Sequence, residues 1–485
     1  MKILFVASEA VPFVKTGGLA DVIGSLPTAL QKLGHDISVV IPKYATIPYE
    51  YQQQMQYVGR TQVQILDHNH EFNLLTLKHN NITFYFIENA ALFERSSLYG
   101  YWDDAERFIF FCRAALLVPG MTGFIPDIIH SHDWHAALTG VYLKAHYHSQ
   151  GHLLHTKSIF TIHNLKYQGI FDKNVFFHMM DLNHSYFNAY CLEYYDNVNF
   201  MKGGIVFADL VTTVSSTYAW EIQTPQFGEN LHDLLHSKKD RLIGIVNGLD
   251  YDTYNPSYDQ YTAHKFNVDN VKAQKKLNKI VLRKQVGLSE HLDNNMDTVP
   301  LLAIVSRLTE SKGFELLINI MDELLYNERL QIVVLGTGDE YLVNRLFELS
   351  HRHQQKISVN IKFEEALAQQ IYAASDIFLM PSRYEPCGLS QMIAMRYGSL
   401  PIVHETGGLK DTVIPYNQYT GEGNGFSFSN YNQNELLATI KTTLDIYKHN
   451  PNVWNHLVAQ AMRMDYSWNN AAKEYSKAYE WIKYS

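Results

Sequence analysis

Cysteine is scarce in this sequence, and its scarcity limits the chemistry that the chain can support. Three cysteines occur among 485 residues, Cys112, Cys191 and Cys387, and they are far apart and odd in number. Neither a disulfide framework nor the close cysteine pairs of a structural zinc site fits this spacing. We therefore expect a reducing, intracellular environment.

Long hydrophobic runs and an excess of positive charge are also missing. No stretch reaches about 18 consecutive apolar residues, so we expect no transmembrane helix. The N-terminus reads MKILFVASE, which is too short and too soon acidic for a signal peptide, and we expect a cytoplasmic protein. Lysine and arginine total 40 against 49 aspartate and glutamate, a net charge of −9, which argues against a nucleic-acid surface. Any phosphate must therefore be bound locally, by a few side chains and backbone amides.

The sequence does contain a repeated alternation of short β-branched runs and helical periods. The runs predict strands at residues 2–7, 37–41, 83–87, 127–130, 158–161, 210–213, 243–246, 301–305, 331–335, 376–380 and 400–403. Continuous apolar strands that alternate with helices indicate parallel sheets covered on both faces. The alternation breaks after residue 250 and resumes near residue 301, which predicts two doubly wound, Rossmann-like α/β domains. Ligands of such sheets collect at the carboxyl ends of the strands, so a crevice between two facing domains is the expected active site.

A glycine loop follows the first predicted strand, where residues 15–22 read KTGGLADV. Adjacent glycines let the backbone approach a ligand closely, and free amides at a helix start favour an anion. Lys15 adds a positive charge for phosphate, and Asp21 can accept hydrogen bonds from sugar hydroxyls. The alternative is a glycine-rich turn with an exposed lysine, and spacing alone does not decide between the two.

Two cations follow the strand at residues 301–305, in the segment 306–313, which reads SRLTESKG. Arg307 can bind phosphate oxygens with its planar fork, and Lys312 supplies a compact charge five residues later. Together they could neutralise a diphosphate leaving group. The alternative is a solvated basic turn.

Two further loops follow later strands of the second domain. Residues 381–389 read PSRYEPCGL, and they place Glu385 where a carboxylate can reach sugar hydroxyls or a developing cationic centre. The same carboxylate could instead cap the following helix. Residues 406–411 read TGGLKD and repeat the pattern of the first glycine loop, which suggests that both loops serve one ligand. Convergent use of the same turn is the alternative.

Three other motifs fit their familiar functions poorly. Asp250-Tyr251-Asp252 matches a metal-binding D-x-D, but it follows a predicted domain end, where turn-forming aspartates are expected. Residues 130–135, HSHDWH, lack the histidine pair at positions i and i+4 and the glutamate of a zinc-protease helix. We therefore expect a strand-end loop in which Asp133 contacts a ligand. Residues 336–341, GTGDEY, lack the third glycine of the dinucleotide fingerprint, which argues against NAD.

Taken together, these motifs resemble those of bacterial glycogen synthases and plant starch synthases. The segments KTGGLADV, SRYEPCGL, the AMRYG of residues 394–398 and the second TGGL are specific to that family. Further matches, in the expected order, are YGY at 99–101, DAERF at 104–108, HDWH at 132–135, TIHN at 161–164 and VNGLD at 246–250. The resemblance spans nearly the whole chain.

The resemblance implies the GT-B glycosyltransferase architecture, with residues 1–250 on the acceptor side, residues 251–466 on the donor side, and residues 467–485 returning as a helix to the first domain. It implies a retaining transfer of glucose from ADP-glucose to the non-reducing end of an α-1,4-glucan, with ADP as product and with neither a metal nor a cofactor.

The resemblance also implies roles for individual residues. Arg307 and Lys312 should bind the diphosphate, while Glu385 and His163 should lie beside the transferring glucose, and these four are the candidate catalytic residues. The candidate binding residues are Lys15, Gly17, Gly18, Asp21, Asp133, Asn164, Asn247, Phe363, Cys387, Gly388, Leu389, Thr406, Gly407 and Gly408.

Two other functions are compatible with the architecture. One is a nucleotide-sugar epimerase or another retaining glycosyltransferase, although such proteins are not expected to combine both glycine loops with the EPCG segment. The other is a non-catalytic glucan-binding protein, which would have no need of cations for a diphosphate.

Overall fold

The computed structural model describes residues 1–65, 68–147 and 151–484, so residues 66, 67, 148–150 and Ser485, the last residue of the predicted returning segment, lie outside the description. The described chain forms two compact units. The first unit comprises Met1–Gly248 and Trp468–Ser485, and the second comprises Leu249–Ser467.

The first unit is built on a large sheet and a small one. Among the described residues, nine strands form the large sheet in the order β12-β11-β7-β6-β1-β2-β5-β4-β3, and three form the small sheet in the order β8-β10-β9. The strands are β1 Lys2–Val6, β2 Asp36–Pro42, β3 Gln56–Ile65, β4 His68–His79, β5 Ile82–Glu88, β6 Ile128–His132, β7 Lys157–Ile162, β8 Ile170–Asp172, β9 Glu193–Tyr194, β10 Asn197–Asn199, β11 Leu210–Thr213 and β12 Leu242–Gly244.

Helices cover the large sheet of the first unit. They are α1 Gly18–Lys32, α2 Tyr49–Gln52, α3 Ala90–Phe93, α4 Asp104–Thr122, α5 Asp133–Tyr142, α6 Lys173–Met179, α7 Phe200–Phe207, α8 Ser216–Glu221 and α9 His232–Ser237, with a π-helical turn at Leu143–Tyr147 and 3₁₀ turns at His184–Tyr186 and Lys239–Arg241. Four of the five residues of β1 are buried, as a central parallel strand requires. Helix α1 buries Leu19, Val22, Ile23 and Leu26, the helical spacing that turns one face toward the sheet.

The predicted parallel sheet carries an antiparallel extension at one edge of the first unit. β4 pairs antiparallel with both β3 and β5, so a long hairpin extends an otherwise parallel sheet. β3 is largely exposed or half-buried, and its polar alternation gave no continuous apolar run to identify it. The strands β3 and β4 were therefore absent from the predicted set.

The second unit contains a sheet that is parallel throughout. Among the described residues, six strands lie in the order β15-β14-β13-β16-β17-β18. They are β13 Leu301–Val305, β14 Gln331–Gly336, β15 Ile357–Ile361, β16 Ile377–Met380, β17 Leu400–His404 and β18 Phe426–Phe428. The helices are α10 Val271–Gln285, α11 Phe314–Asn327, α12 Glu340–Arg352, α13 Glu365–Ala374, α14 Ser390–Arg396, α15 Gly407–Thr412, α16 Gln433–His449 and α17 Pro451–Arg463, with 3₁₀ turns at Met296–Thr298 and Glu310–Lys312.

The last helix, α18 Trp468–Tyr484, packs on α1 and belongs to the first unit. The hydroxyl of Tyr479 lies 2.9 Å from Nδ1 of His130 in β6, and His35 Nε2 lies 2.9 Å from Ser476 Oγ. These two polar contacts, the first fully buried and the second partly, fix the helix against the first unit. Over the described ranges, no helix combines the length and apolar character that crossing a bilayer demands.

Candidate active site

The first glycine loop binds a carboxylate of the protein itself. Both the backbone amide and the hydroxyl of Thr16 donate to Oε2 of Glu9, at 2.5 and 2.9 Å. Gly17 is extended, and α1 begins at Gly18. The amides that the sequence assigns to a phosphate therefore face Glu9 in this structure.

Glu9 received no role from the sequence, although it closely follows β1, which ends at Val6. Glu9 is 3% exposed, and burial raises the pKa of its carboxyl to about 7 in spite of the hydrogen bonds from Thr16. The sequence shows an acid shortly after a strand, but the burial that distinguishes it is visible only in the tertiary structure. Near neutral pH this carboxyl exchanges readily between its charged and neutral forms.

Lys15 and Asp21 of the same loop are bound to each other. Lys15 Nζ lies 2.7 Å from Asp21 Oδ1, and both side chains are partly exposed. A phosphate that approached Lys15 would compete with this carboxylate. Around the two glycines, by contrast, there is room: a Cβ at Gly18 would meet no atom within 4 Å, and one at Gly17 would meet only Glu9 Oε1 at 3.9 Å.

Asp133 lies at the start of a helix, which corrects the expectation of a strand-end loop. β6 ends at His132 and α5 begins at Asp133, so no loop separates them. The turn is accommodated by a positive φ of 55° at Asp133. Its Oδ1 accepts a hydrogen bond from the backbone amide of His163 at 2.8 Å, and burial raises the pKa of its carboxyl to about 7. Asp133 thereby joins the carboxyl ends of β6 and β7.

His163 follows β7 and contacts a second histidine. Its Nε2 lies 3.1 Å from Nδ1 of His132, and burial lowers the pKa of its imidazole to about 3, so the ring is neutral at physiological pH. The next residue, Asn164, accepts the amide of Lys166 at 3.1 Å, which closes a local turn. His132 was quoted in the HDWH motif but given no role.

Asn247 is the last of the predicted binding residues in the first unit. It follows β12, is 6% exposed, and its Oδ1 is buried without a hydrogen-bond partner among the described residues. Buried acceptors without partners are unusual and call for an explanation such as a ligand or a water.

The second unit presents a cation without a partner. Arg307 follows β13 and is exposed, and its guanidinium forms no ion pair or hydrogen bond with another described residue. Uncompensated positive charge at the carboxyl end of a parallel strand is suited to an anionic ligand.

Lys312 is bound to Glu385. Its Nζ forms a short ion pair with Glu385 Oε2, and the two side chains are 17% and 9% exposed. Ser382 is fully buried and donates its hydroxyl to the same oxygen at 3.1 Å. His404 Nδ1 lies 2.9 Å from the carbonyl oxygen of Ser382, so a further side chain holds this loop. The sequence predicted Lys312 and Glu385 as neighbours of one ligand but not as partners of each other.

The residues after Glu385 lead into α14. Cys387 is 5% exposed, Gly388 adopts a φ of +73°, and Leu389 precedes the first helical residue. A Cβ at Gly388 would lie 3.1 Å from Cγ of Glu385, in a backbone conformation that side chains rarely adopt. The turn therefore depends on glycine at this position.

The second glycine loop packs against the backbone of the Glu385 segment. The amide of Gly408 donates to the carbonyl oxygens of Glu385 and Pro386, both at 3.1 Å. A Cβ at Gly407 would lie 2.0 Å from the Glu385 oxygen, and one at Gly408 would lie 2.1 Å from the Cys387 oxygen. Thr406 is 1% exposed. The loop supports the segment that carries Glu385.

Phe363 lies at the edge of the second unit's sheet that is formed by β15. It follows β15 and is 86% exposed, whereas most phenylalanines of the chain are buried. An exposed ring at a strand's carboxyl end offers a surface for stacking.

The D-x-D and histidine segments have structural partners. Asp250 Oδ1 accepts the amide of Asp252 at 2.9 Å and its Oδ2 accepts the hydroxyl of Thr253 at 2.6 Å, which is the turn that the sequence predicts. His130 contacts Tyr479 and Thr161 through its two nitrogens. In the described part of the chain, no group of three or more histidine, cysteine, aspartate or glutamate side chains is arranged to hold a metal ion.

Comparison with known proteins gives concordant results for both units. Residues 2–237 match the family model described as starch synthase catalytic domain, and residues 292–454 match glycosyl transferases group 1. The chain is 48% identical to a glycogen synthase of Desulforamulus reducens, over 99% of this chain and 98% of that one. It is 47% identical to a glycogen synthase of Clostridium novyi, with the same coverage.

Solved structures agree. The catalytic domain of starch synthase IV from Arabidopsis thaliana, which was bound to ADP and acarbose, superimposes with a TM-score of 0.92 at 33% identity, covering 100% of this chain and 99% of that one. A sucrose-phosphate synthase from Thermosynechococcus elongatus has a TM-score of 0.61 at 18% identity over 99% of each chain, a likeness of fold alone. Both units are thus Rossmann-like, as the sequence predicts for the GT-B class.

Proposed function

This chain belongs to the glycogen synthase family, the glucosyltransferases of glycogen synthesis, and we propose that it transfers glucose from ADP-glucose to the non-reducing end of an α-1,4-glucan, releasing ADP. The observation that carries the proposal is the arrangement at the carboxyl ends of β13 and β16. There, an unpaired guanidinium lies in the same strand-end region as an ammonium and a buried carboxylate. Two cations suit a diphosphate, and the carboxylate suits a sugar.

Arg307 and Lys312 bind the diphosphate in this proposal. As the bond between the anomeric carbon and the phosphate oxygen breaks, negative charge grows on the departing ADP. Fixed cations at that position stabilise this charge without reorganising during the reaction. That the starch synthase IV domain was bound to ADP supports the choice of nucleotide.

The exposed ring of Phe363 provides a face for adenine. Lys15, Gly17 and Gly18 form a second anion-binding loop in the first unit, and Asp21 of the same loop accepts hydrogen bonds from sugar hydroxyls. The exchange of the Lys15–Asp21 ion pair for a ligand contact is part of the proposal.

Glu385 and His163 act on the glucosyl group. Glu385, with Cys387, Gly388 and Leu389 around it, stabilises the positive character of the anomeric carbon. His163 contacts a sugar hydroxyl, and Asp133, Asn164 and Asn247 complete the sugar contacts on the first unit. Gly407 and Gly408 act through the backbone of the Glu385 segment, because their packing fixes it, and Thr406 of the same loop contacts the ligand.

The transfer retains the α configuration. The 4-hydroxyl oxygen of the acceptor forms the new bond to the anomeric carbon from the face that ADP leaves, and the hydroxyl proton passes to the departing phosphate oxygen. No metal and no cofactor is required, since the cations of the second unit carry the leaving group's charge.

ADP release from ADP-glucose and glycogen tests the proposal, with UDP-glucose run in parallel as the alternative donor. Lys312→Ala should lower turnover about 10²–10³-fold, the scale for losing one group that stabilises transition-state charge. Lys441→Ala is the matched control, because Lys441 also pairs with a glutamate in the second unit but on its surface. Near wild-type turnover of Lys312→Ala would contradict the proposal. Glucan binding without ADP release would indicate a binding protein, and consumption of the sugar nucleotide without glucan would indicate an epimerase.

A further inference from the structure

His132 is a buried imidazole with one polar partner in the part of the chain that the structure describes. The residue is 0% exposed at the end of β6. Its ring stacks on Phe5 at a centroid distance of 5.3 Å and an interplanar angle of 18°, and it lies 4.1 Å from the ring of His130. Its Nδ1 contacts His163 Nε2 at 3.1 Å, while its own Nε2 is buried and has no hydrogen-bond partner among the described residues.

The neighbouring histidine of the same strand shows what a structural role looks like. His130 is equally buried, and both of its nitrogens have partners: the Tyr479 hydroxyl at 2.9 Å and the Thr161 hydroxyl at 2.6 Å. Buried polar groups are normally satisfied, and an apolar side chain would pack against Phe5 without leaving a nitrogen unpaired. The contact with His163 is therefore what distinguishes a histidine at position 132 from an apolar residue.

The hydrogen bond between the two rings contains one N–H proton, which belongs to one of the two nitrogens. Burial lowers the pKa of both imidazoles, that of His132 well below its usual value, so each ring is neutral and carries one N–H. One nitrogen of the pair must donate and the other accept. The tautomer of His132 therefore sets the tautomer of His163.

The proposal rests on the proposed function, in which His163 contacts the donor sugar. We propose that His132 is a positioning residue for His163: it holds Nε2 of that ring and so leaves Nδ1 as the nitrogen that meets the ligand. In the structure, Nδ1 of His163 has no hydrogen bond to another described residue. The backbone of His163 is fixed independently, since its amide donates to Asp133 Oδ1 at 2.8 Å. His132 thus fixes the ring and Asp133 fixes the main chain.

The direction of the hydrogen bond follows from the unpaired nitrogen of His132. If His132 accepted the proton, its own N–H would be at Nε2, buried and unsatisfied, and orphaned buried N–H groups are rare. His132 therefore donates from Nδ1, and His163 accepts at Nε2. His163 then carries its proton on Nδ1, where it can donate to an oxygen of the sugar.

Replacement of His132 tests the positioning role. His132→Leu removes the hydrogen bond and leaves an apolar side chain against Phe5. We expect kcat to fall about 10–100-fold, the scale for losing a hydrogen bond that orients a functional histidine, while the Kd for ADP and the melting temperature stay close to wild type. His132→Asn should recover most of the loss, because its side-chain amide lies near the former Nδ1. His130→Leu is the control in the same strand. It should lower the melting temperature, while its kcat stays close to wild type.

Nitrogen NMR on the wild-type protein tests the tautomer without any substitution. With isotope-labelled histidine, His163 should show a protonated Nδ1 and an unprotonated Nε2, and His132→Leu should allow the other tautomer to appear. Turnover of His132→Leu within about twofold of wild type would overturn the proposal. So would an asparagine variant no better than the leucine variant, or a wild-type His163 protonated at Nε2. Failure of the wild type to release ADP would instead count against the proposed function.

Discussion

The two units contain the same glycine-loop sequence, and they use it in opposite ways. In the first unit, TGGL begins the 15-residue helix α1, and the space beside Gly18 is open to a distance of 4 Å. In the second unit, TGGL begins the six-residue helix α15, and a Cβ on either glycine would fall about 2 Å from a carbonyl oxygen of the Glu385 segment. Glycine is thus required for close backbone packing in one unit, while in the other it leaves room for a ligand.

The two units also differ in the charge state of the groups at their strand ends. At the strand ends of the first unit, burial shifts the pKa of several groups so that the neutral form is favoured. It raises the pKa of Glu9 and of Asp133 and lowers that of His163. The second unit keeps its charges, as the Lys312–Glu385 ion pair and the unpaired Arg307. Neutral hydrogen-bonding groups suit sugar hydroxyls, and fixed charges suit a diphosphate. This difference supports the sugar contacts proposed for His163 and Asp133 in the first unit and the diphosphate contacts proposed for Arg307 and Lys312 in the second.

The largest effect is expected from alanine at the second glycine loop. Gly408→Ala would place a Cβ 2.1 Å from the Cys387 oxygen, so the Glu385 segment must move. A displacement of about 1 Å can cost roughly 10²-fold in rate, and we expect at least that loss of turnover together with a lower melting temperature.

Gly18→Ala is the matched variant in the first unit. It meets no atom within 4 Å, so we expect unchanged or slightly raised stability, with any loss confined to substrate affinity. Calorimetry and ADP-release kinetics on both variants check the comparison. If Gly408→Ala had wild-type stability and activity, the inferred difference between the two glycine loops would be wrong.

An intermediate effect is expected for the pH dependence of stability. Because the pKa of Glu9 is raised from 4.5 to about 7, the folded protein keeps this proton after the unfolded chain has lost it. The contribution of Glu9 to the free energy of unfolding therefore falls as the pH rises from about 4.5 to about 7 and is constant above that, with at most ~3 kcal/mol from this group. Glu9→Gln has no proton to lose, so its stability relative to wild type should increase across this window.

Denaturant titrations at several pH values between 5 and 8 measure this difference. Glu50→Gln, at an exposed position, serves as the control for removing one negative charge. A constant difference between Glu9→Gln and wild type across the range would show that Glu9 is not the buried acid described above.

The smallest effect concerns the ion pair of the second unit. If ADP takes Lys312 as proposed, its phosphate competes with the Glu385 carboxylate for one ammonium. Glu385→Gln should therefore bind ADP more tightly, roughly three- to tenfold, which corresponds to ~1 kcal/mol for removing one competitor for the ammonium. Isothermal titration calorimetry measures the change, and Arg307→Met should weaken binding in the same assay. Weaker ADP binding by Glu385→Gln would show that the carboxylate supports Lys312 rather than competing for it.

Much of the fold was accessible from the sequence because parallel strands are continuous apolar runs. The predicted strands at 210–213 and 301–305 have the observed bounds, and Arg307, Lys312 and Glu385 follow strands as expected. The β3–β4 hairpin was not predicted, because its alternating polar residues resemble an exposed segment. Glu9, Ser382 and His404 were not recognised either, since each becomes notable only through a partner distant in sequence or through burial.

The sequence by itself determined the two α/β units, the family and the residue types at the strand ends, because these depend on local pattern and on short motifs. Only the tertiary structure decided what each strand-end group contacts. It pairs Lys312 with Glu385, places Glu9 at the first glycine loop, and packs the second glycine loop against the Glu385 backbone. The physical reason is that burial and the distances between groups far apart in the chain set these contacts, and neither is encoded in the spacing of a motif. Two identical TGGL segments therefore acquire different functions from their surroundings.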